Sequence, residues 1–329
     1  MILPRFAACL LALAPMLAPA ASAHAATSSE LGETRAALAA LQADDLRLQS
    51  VGWRLARGNA PFCRDAPLAI GLLMQDMAGY GQPDAIRSAA GIAGDVAVQA
   101  SAAGSPAALA GLQANTEILA IGDFQVTNLP RAGARNWQRL LTLNEHLDRA
   151  LSLGPATLTL RENGLAVTRK ITGVPACRSR FELLDDGGRA AADGHRVVIG
   201  REFVGIEYAE EEFAAAVAHE LAHNVLYHRL WLEENGRKRR NIRLTEREAD
   251  RLMPWLLANA GYDPAAAADF MRRWGPRHDG GLFRARSHDG WDERVEYIEA
   301  ELPAIRAAMA ASGQADWSTL FRREIPAPR

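Results

Sequence analysis

The sequence predicts an α+β protein, a mainly helical body interrupted by a small β-rich insert. Three observations carry this. Residues 29–58 read as an amphipathic helix, strand-like runs bounded by turn residues fill the stretch between Cys63 and Cys177, and an alanine-rich segment free of Gly and Pro follows at 209–231. The chain has 329 residues, 49% apolar and 23% charged, enough for a substantial core and for two domains. A net charge of −2 supplies no overall basic field, so nucleic acid is not an expected partner.

The first 25 residues read as an export signal. Arg5 precedes an apolar run, and both Ala21-Ser22-Ala23 and Ala23-His24-Ala25 fit the small-residue cleavage rule. Cys9 sits at the start of that run, the wrong end for lipid attachment. No later stretch reaches the eighteen apolar residues of a membrane span. A periplasmic or secreted mature chain is expected, without a transmembrane segment.

Residues 26–66 carry the helix, with Leu38, Leu41, Leu46 and Leu48 on its apolar face and Gly58 as its stop. Cys63 and Cys177 are the two cysteines of the mature chain, and in an oxidising compartment they are expected to bridge. The closed loop would exceed a hundred residues, worth about 4–5 kcal/mol in chain entropy. Two unpaired thiols are the alternative.

Between the cysteines, "PLAIGLLM" and "GDVAVQAS" read as strands, and "ATLTLRENGLAVTRKITGV" as a hairpin turning at Asn163-Gly164. In "GSPAALAGLQANTEILAIGD", residues 104–123, a Ser-Pro turn leads into a short helix, a Gly111-Leu112 step and a strand ending at Gly122. This pattern resembles a PDZ domain of the bacterial protease-associated type, over residues 67–175. Asn115-Thr116 departs from the Gly-Asp usual at that turn. The resemblance implies peptide binding along a sheet edge, with Ile70, Gly71 and Leu72 as the candidate loop for a chain-end carboxylate. A spacer or lid is the other role such a unit can have.

Residues 176–329 hold the metal chemistry. In "AVAHELAHNVLYH", His219 and His223 are four residues apart, nearly superposed on a helix, and can converge on one ion. Glu220 projects beside them, placed to act as a general base. His228 is half a helical turn away from His219, so one continuous helix cannot bring it to the ion; a supporting or surface role is expected. The third ligand is sought in "RLTEREADRLMPWLLANAGYDP", where Glu246 and Asp250 are again four apart and Thr245 is an N-cap candidate. Glu248 is out of phase with Asp250.

The combination of His-Glu-x-x-His, Glu246-x-x-x-Asp250 and "AGYDP" is similar to a group of zinc metallopeptidases. That group includes the CAAX prenyl endopeptidase, bacterial HtpX and soluble periplasmic relatives. The resemblance implies a zincin-like (gluzincin) domain holding one Zn2+ by His219, His223 and Glu246. It implies Glu220 as general base and Asp250 as the carboxylate that orients a ligand histidine. In "RSHDGWDERVEYI" it implies His288 as a catalytic contact and Arg294 as its companion, although Asp289 stands where relatives carry proline.

"HRVVIGREFVGIEY", residues 195–208, reads as a strand or hairpin offering its edge to substrate. "GRKRRNIR", residues 236–243, reads as a solvated loop, and Pro254 as a kink or early end of its helix. Together these features describe an exported zinc endopeptidase acting on proteins or peptides, such as unfolded envelope proteins or C-terminal tails. Its insert would recruit substrate or gate the cleft. The alternative is a peptide-binding, chaperone-like envelope protein with a latent or structural zinc site.

Overall fold

Helix α1 (Ser28–Gly58) is rich in Ala and Leu and free of Pro, a composition that favours helix. In the computed structural model, which describes residues 28–131, 137–185, 187–278 and 289–326, α1 lies between two hydrophobic cores. The segment read as an export signal, Cys9 and His288 lie outside the described residues. Leu48, Val51 and Leu55 are buried in the larger core, and Leu38 is also buried. Leu41 is only half-buried and Leu46 is exposed, which corrects the expected apolar face. Polar Gln42, Asp45 and Gln49 are buried instead, because this face of α1 meets backbone and polar side chains of its neighbours. Gln42 bonds Asn115 at 2.7 Å, Gln99 donates to Asp45 at 2.5 Å, and Gln49 donates to the Phe181 carbonyl.

The insert begins and ends at a neck. There β1 (Leu68–Ala69) pairs antiparallel with β8 (Val174–Pro175), and Cys63 and Cys177 form a disulfide across a Cα–Cα distance of 5.6 Å. Between them run β2 (Leu72–Asp76), α2 (Pro83–Ala90), β3 (Val96–Ser101), α3 (Pro106–Leu109), β4 (Glu117–Ile121), β5 (Phe124–Gln125), α4 (Gln138–Leu153), β6 (Ala156–Glu162) and β7 (Leu165–Ile171). The sheet order is β2-β3-β4-β6-β7, all antiparallel, with β5 against β4. Asn163 and Gly164 both take positive φ, as the tight hairpin requires. Helix α4 covers the sheet with Leu143, Leu147 and Leu151, which recur every fourth residue.

The run "PLAIGLLM" is not one strand. Gly71 breaks it at φ +68, and a Cβ there would collide with the Ser105 side chain. Ser105 is fixed in turn as the N-cap of α3, accepting from Ala108 N at 3.2 Å. Ile70 is buried, and its carbonyl accepts from Ala107 N at 2.9 Å. At the turn that departs from Gly-Asp, Asn115 supplies the left-handed backbone itself, at φ 66. Its side chain then joins the insert to Gln42 of α1, which glycine could not do.

In the body, β9 (Arg180–Leu184), β10 (Ala190–Ala192) and β11 (Arg196–Gly200) form a sheet of order β10-β11-β9. The helices are α5 (Glu210–Val225), α6 (His228–Asn235), α7 (Arg239–Asn259), α8 (Ala266–His278), α9 (Trp291–Ser312) and α10 (Trp317–Leu320). Strand β11 is central, so the segment 195–208 does not offer an edge; β10 does. Helix α7 starts at Arg239, so 236–243 is a loop only in part. Thr245 lies inside α7, bonded to the Ile242 carbonyl at 2.8 Å, rather than capping it. The helix also runs on through Pro254 to Asn259. The hydrogen bond lost to proline is offset by Trp255, Leu256 and Leu257, all fully buried. No helix among the described residues is long and apolar enough to cross a membrane.

Candidate metal centre

His219 and His223 project from consecutive turns of α5, with their Nε2 atoms 3.3 Å apart. From α7, Glu246 brings Oε2 to 3.4 Å from His219 Nε2 and Oε1 to 3.6 Å from His223 Nε2. Donors about 2.0–2.1 Å from a tetrahedral ion stand roughly 3.3–3.4 Å apart. That is close to the spacing of the two imidazole nitrogens and of each from its nearer Glu246 oxygen, and one ligand atom from each residue lies within 4.8 Å of the others. Two imidazoles and one carboxylate are also a donor set suited to catalytic zinc. Among the described residues, this trio forms the group able to hold a metal ion. His219 meets Asp250 as well, while His223, one turn later, meets Glu246, one turn earlier. The two helices therefore cross the site in opposite directions.

A second layer of side chains orients the first. His219 Nδ1 lies 3.0 Å from Asp250 Oδ1, in contact though short of full hydrogen-bond alignment. Arg294 grips Asp250 with Nε and Nη2, each at 2.7 Å. Arg294 also lines the cavity, with its Nε and Nη2 engaged by Asp250; His288, whose companion it was expected to be, lies outside the described residues.

Behind His223, Nδ1 of His228 sits 3.0 Å from His223 Nδ1, and His228 Nε2 sits 3.1 Å from Glu248 Oε2. Glu248 can only accept, so His228 donates from Nε2 and accepts from His223 at Nδ1. That tautomer leaves the His223 Nε2 lone pair facing the centre. Glu248 is anchored by Arg323 Nε and by Ile325 N, each at 3.0 Å. His228 is therefore neither a member of the triangle nor a surface group. It arrives there because Tyr227, at φ 59 and ψ 37, breaks the chain between α5 and α6.

Electrostatics follow from burial. Desolvation, with Glu246 and Asp250 nearby, pushes the Glu220 carboxyl up to about 7. Burial also disfavours charge on His219, but the carboxylates of Asp250 and Glu246 against its two ring nitrogens outweigh it and raise the imidazole to about 10. His223 lacks such a bond, and burial lowers it to about 3. Asp250, though buried, is held below the usual range by Arg294 and His219. A divalent cation would replace the His219 proton and satisfy the surrounding carboxylates.

His219, Glu220, His223 and Glu246 line a cavity of about 580 Å³. Its remaining walls include residues 188–194 and the aromatic faces of Phe270 and Trp274 on α8. Gly200 N bonds the Arg189 carbonyl at 2.7 Å, and Asp193 N bonds the Arg196 carbonyl at 3.1 Å. Pairing alternates along an antiparallel ladder, so the backbone groups of Ala190 and Ala192 face away from β11, along the open edge. Asn224 of α5 holds this edge in place, accepting from Gly194 N at 2.8 Å and donating to the Arg196 carbonyl at 3.0 Å.

Sequence reasoning missed β10, Asn224 and the His228–Glu248–Arg323 chain. Asp193-Gly194 between "RAAA" and "RVVIG" was a hairpin signal that could have exposed β10; the other partners left none. Ile70, Gly71 and Leu72 belong to the insert and are not among the residues lining the metal cavity. Compared with known proteins, the chain matches no family model, no curated protein and no solved structure.

Proposed function

We propose that the protein is an exported zinc-dependent endopeptidase with a zincin-like body and a PDZ-like insert. One observation carries the reading: Glu220 is buried beside the His219–His223–Glu246 triangle and lines the same cavity without belonging to it. A structural metal site gains nothing from such a carboxylate. A bound zinc ion would supply the electrophilic activation of water and of the scissile carbonyl.

The chain's own residues account for the rest. Glu220 takes a proton from the attacking water and delivers it to the nitrogen of the leaving peptide, and a carboxyl titrating near neutrality suits both transfers. The free edge of β10 aligns an extended substrate backbone through Ala190 and Ala192. Phe270 and Trp274 form an apolar wall for its side chains. In the insert, β2 is an edge strand beginning just after Ile70-Gly71, a place where a second peptide segment could be held. That open edge supports the second reading, a peptide-binding envelope factor with a latent site. A periplasmic location accords with the disulfide and with the N-terminal segment.

The deciding experiment compares wild type with Glu220→Gln for zinc content and for cleavage of unfolded proteins. Zinc retained with cleavage reduced at least about a hundredfold is the expected result. Equal cleavage by both would remove Glu220 from the mechanism. Absence of cleavage by either, with peptide still bound, would favour the second reading.

A further inference from the structure

Beside the metal cavity lies a second one of about 600 Å³ at the neck of the insert. The two cavities share Asp193, Gly194, Asn224, Arg229 and Glu233 as wall. Strand β10 ends at that shared wall, so a peptide paired along β10 runs from one cavity toward the other.

The second cavity is lined by three arginines and three carboxylates, but their pairing is uneven, because Asp193 is taken up by Arg196 outside the lining. Asp65 is matched by Arg178, Glu233 by Arg229 at 2.9 Å, and Asp193 by Arg196 at 2.8 Å. Arg64 also lines the cavity, and no carboxylate among the described residues pairs with it. Its guanidinium instead sits 5.9 Å from the centroid of the Tyr227 ring. The backbone on either side of Arg64 is pinned, since Cys63 is in the disulfide and Asp65 is tied to Arg178 through side chain and backbone, while the Arg64 residue itself is exposed. Tyr227 holds a left-handed backbone that is unfavourable for an aromatic residue, and this turn sets its ring in the cavity wall.

We propose that the second cavity is a substrate subsite for a peptide carboxylate, with Arg64 as the recognising group and Tyr227 as its platform. The proposal rests on the peptidase reading of the adjoining cleft. The carboxylate belongs to an Asp or Glu side chain of the bound peptide, or to its chain end; Arg presents the same fork to both.

The test uses alanine-based decapeptides with one Glu or one Lys placed at each position in turn, each with a free or an amidated C-terminus. Binding is read by fluorescence anisotropy on zinc-loaded Glu220→Gln protein, with and without Arg64→Glu. With amidated ends, one Glu position should tighten binding about tenfold over Lys at the same position, and Arg64→Glu should invert that ratio. Tightening by the free C-terminus alone, again reversed by Arg64→Glu, assigns the site to the chain end. A Glu-to-Lys ratio and a chain-end effect that both ignore Arg64→Glu would overturn the subsite. Binding is read without turnover, so wild type that binds these peptides selectively yet cleaves none would count against the peptidase reading and not against the subsite.

Discussion

Asp250 and His228 are not members of the metal triangle, yet each determines how a member presents its lone pair. Removing such a partner typically costs 10–100-fold in metal affinity. Asp250→Asn and His228→Ala should each weaken zinc binding within that range, measured by competition with a chromophoric chelator. Wild-type affinity in both variants would show that the helices alone orient His219 and His223. Asparagine is the informative change at Asp250, because alanine would strand the buried Arg294 charge and confound affinity with stability. Spacing alone placed His219, Glu220 and His223 on one helix, and it correctly kept His228 out of the triangle. It could not say where His228 went, because that depends on one left-handed residue, Tyr227, and aromatic residues carry no local signal for that conformation.

At the level of elements, α1 shows how an amphipathic pattern misleads when a helix serves two neighbours. Its buried Asp45 meets Gln99 of β3, with Glu182, Asp44 and Tyr80 close enough to interact. Burial, more than any other cause, raises its carboxyl from 3.8 to about 6. Between these two values the folded protein holds a proton that the unfolded chain has released. Stability therefore falls as pH rises through this window, and the full penalty, up to about 3 kcal/mol, persists above it. Asp45→Asn should stabilise the protein at pH 7.5 and have little effect at pH 4, as read by urea unfolding at both values. An equal gain at both pH values would assign the effect to packing instead. Helix α7 gives the converse lesson. Proline rules foretold a kink or an early end; the early end does not occur, because a row of fully buried side chains after Pro254 keeps the helix running to Asn259.

At the scale of the whole molecule, the disulfide closes a separation of 114 residues and holds both ends of the insert on the body. Chain entropy values such a loop at about 4–5 kcal/mol. The Cys63→Ser, Cys177→Ser double variant should lose up to that amount in chemical denaturation, and reduction of wild type should reproduce the loss. A variant as stable as wild type would mean that the β1–β8 neck and the α1 contacts suffice.

The sequence by itself determined the α+β class, the interrupted body, the cysteine pair and the spacing of His219, His223, Glu246 and Asp250. Each of these is local, written in helical or strand periodicity or in residue chemistry. Tertiary structure decided which edge faces the cleft, what stands behind each histidine, and that Arg64 pairs with no carboxylate among the described residues. Those outcomes join residues far apart in the chain, such as Arg323 with Glu248 and Asn224 with Gly194. Their pairing is set by how helices and sheet pack, and no periodicity in a single sequence encodes it.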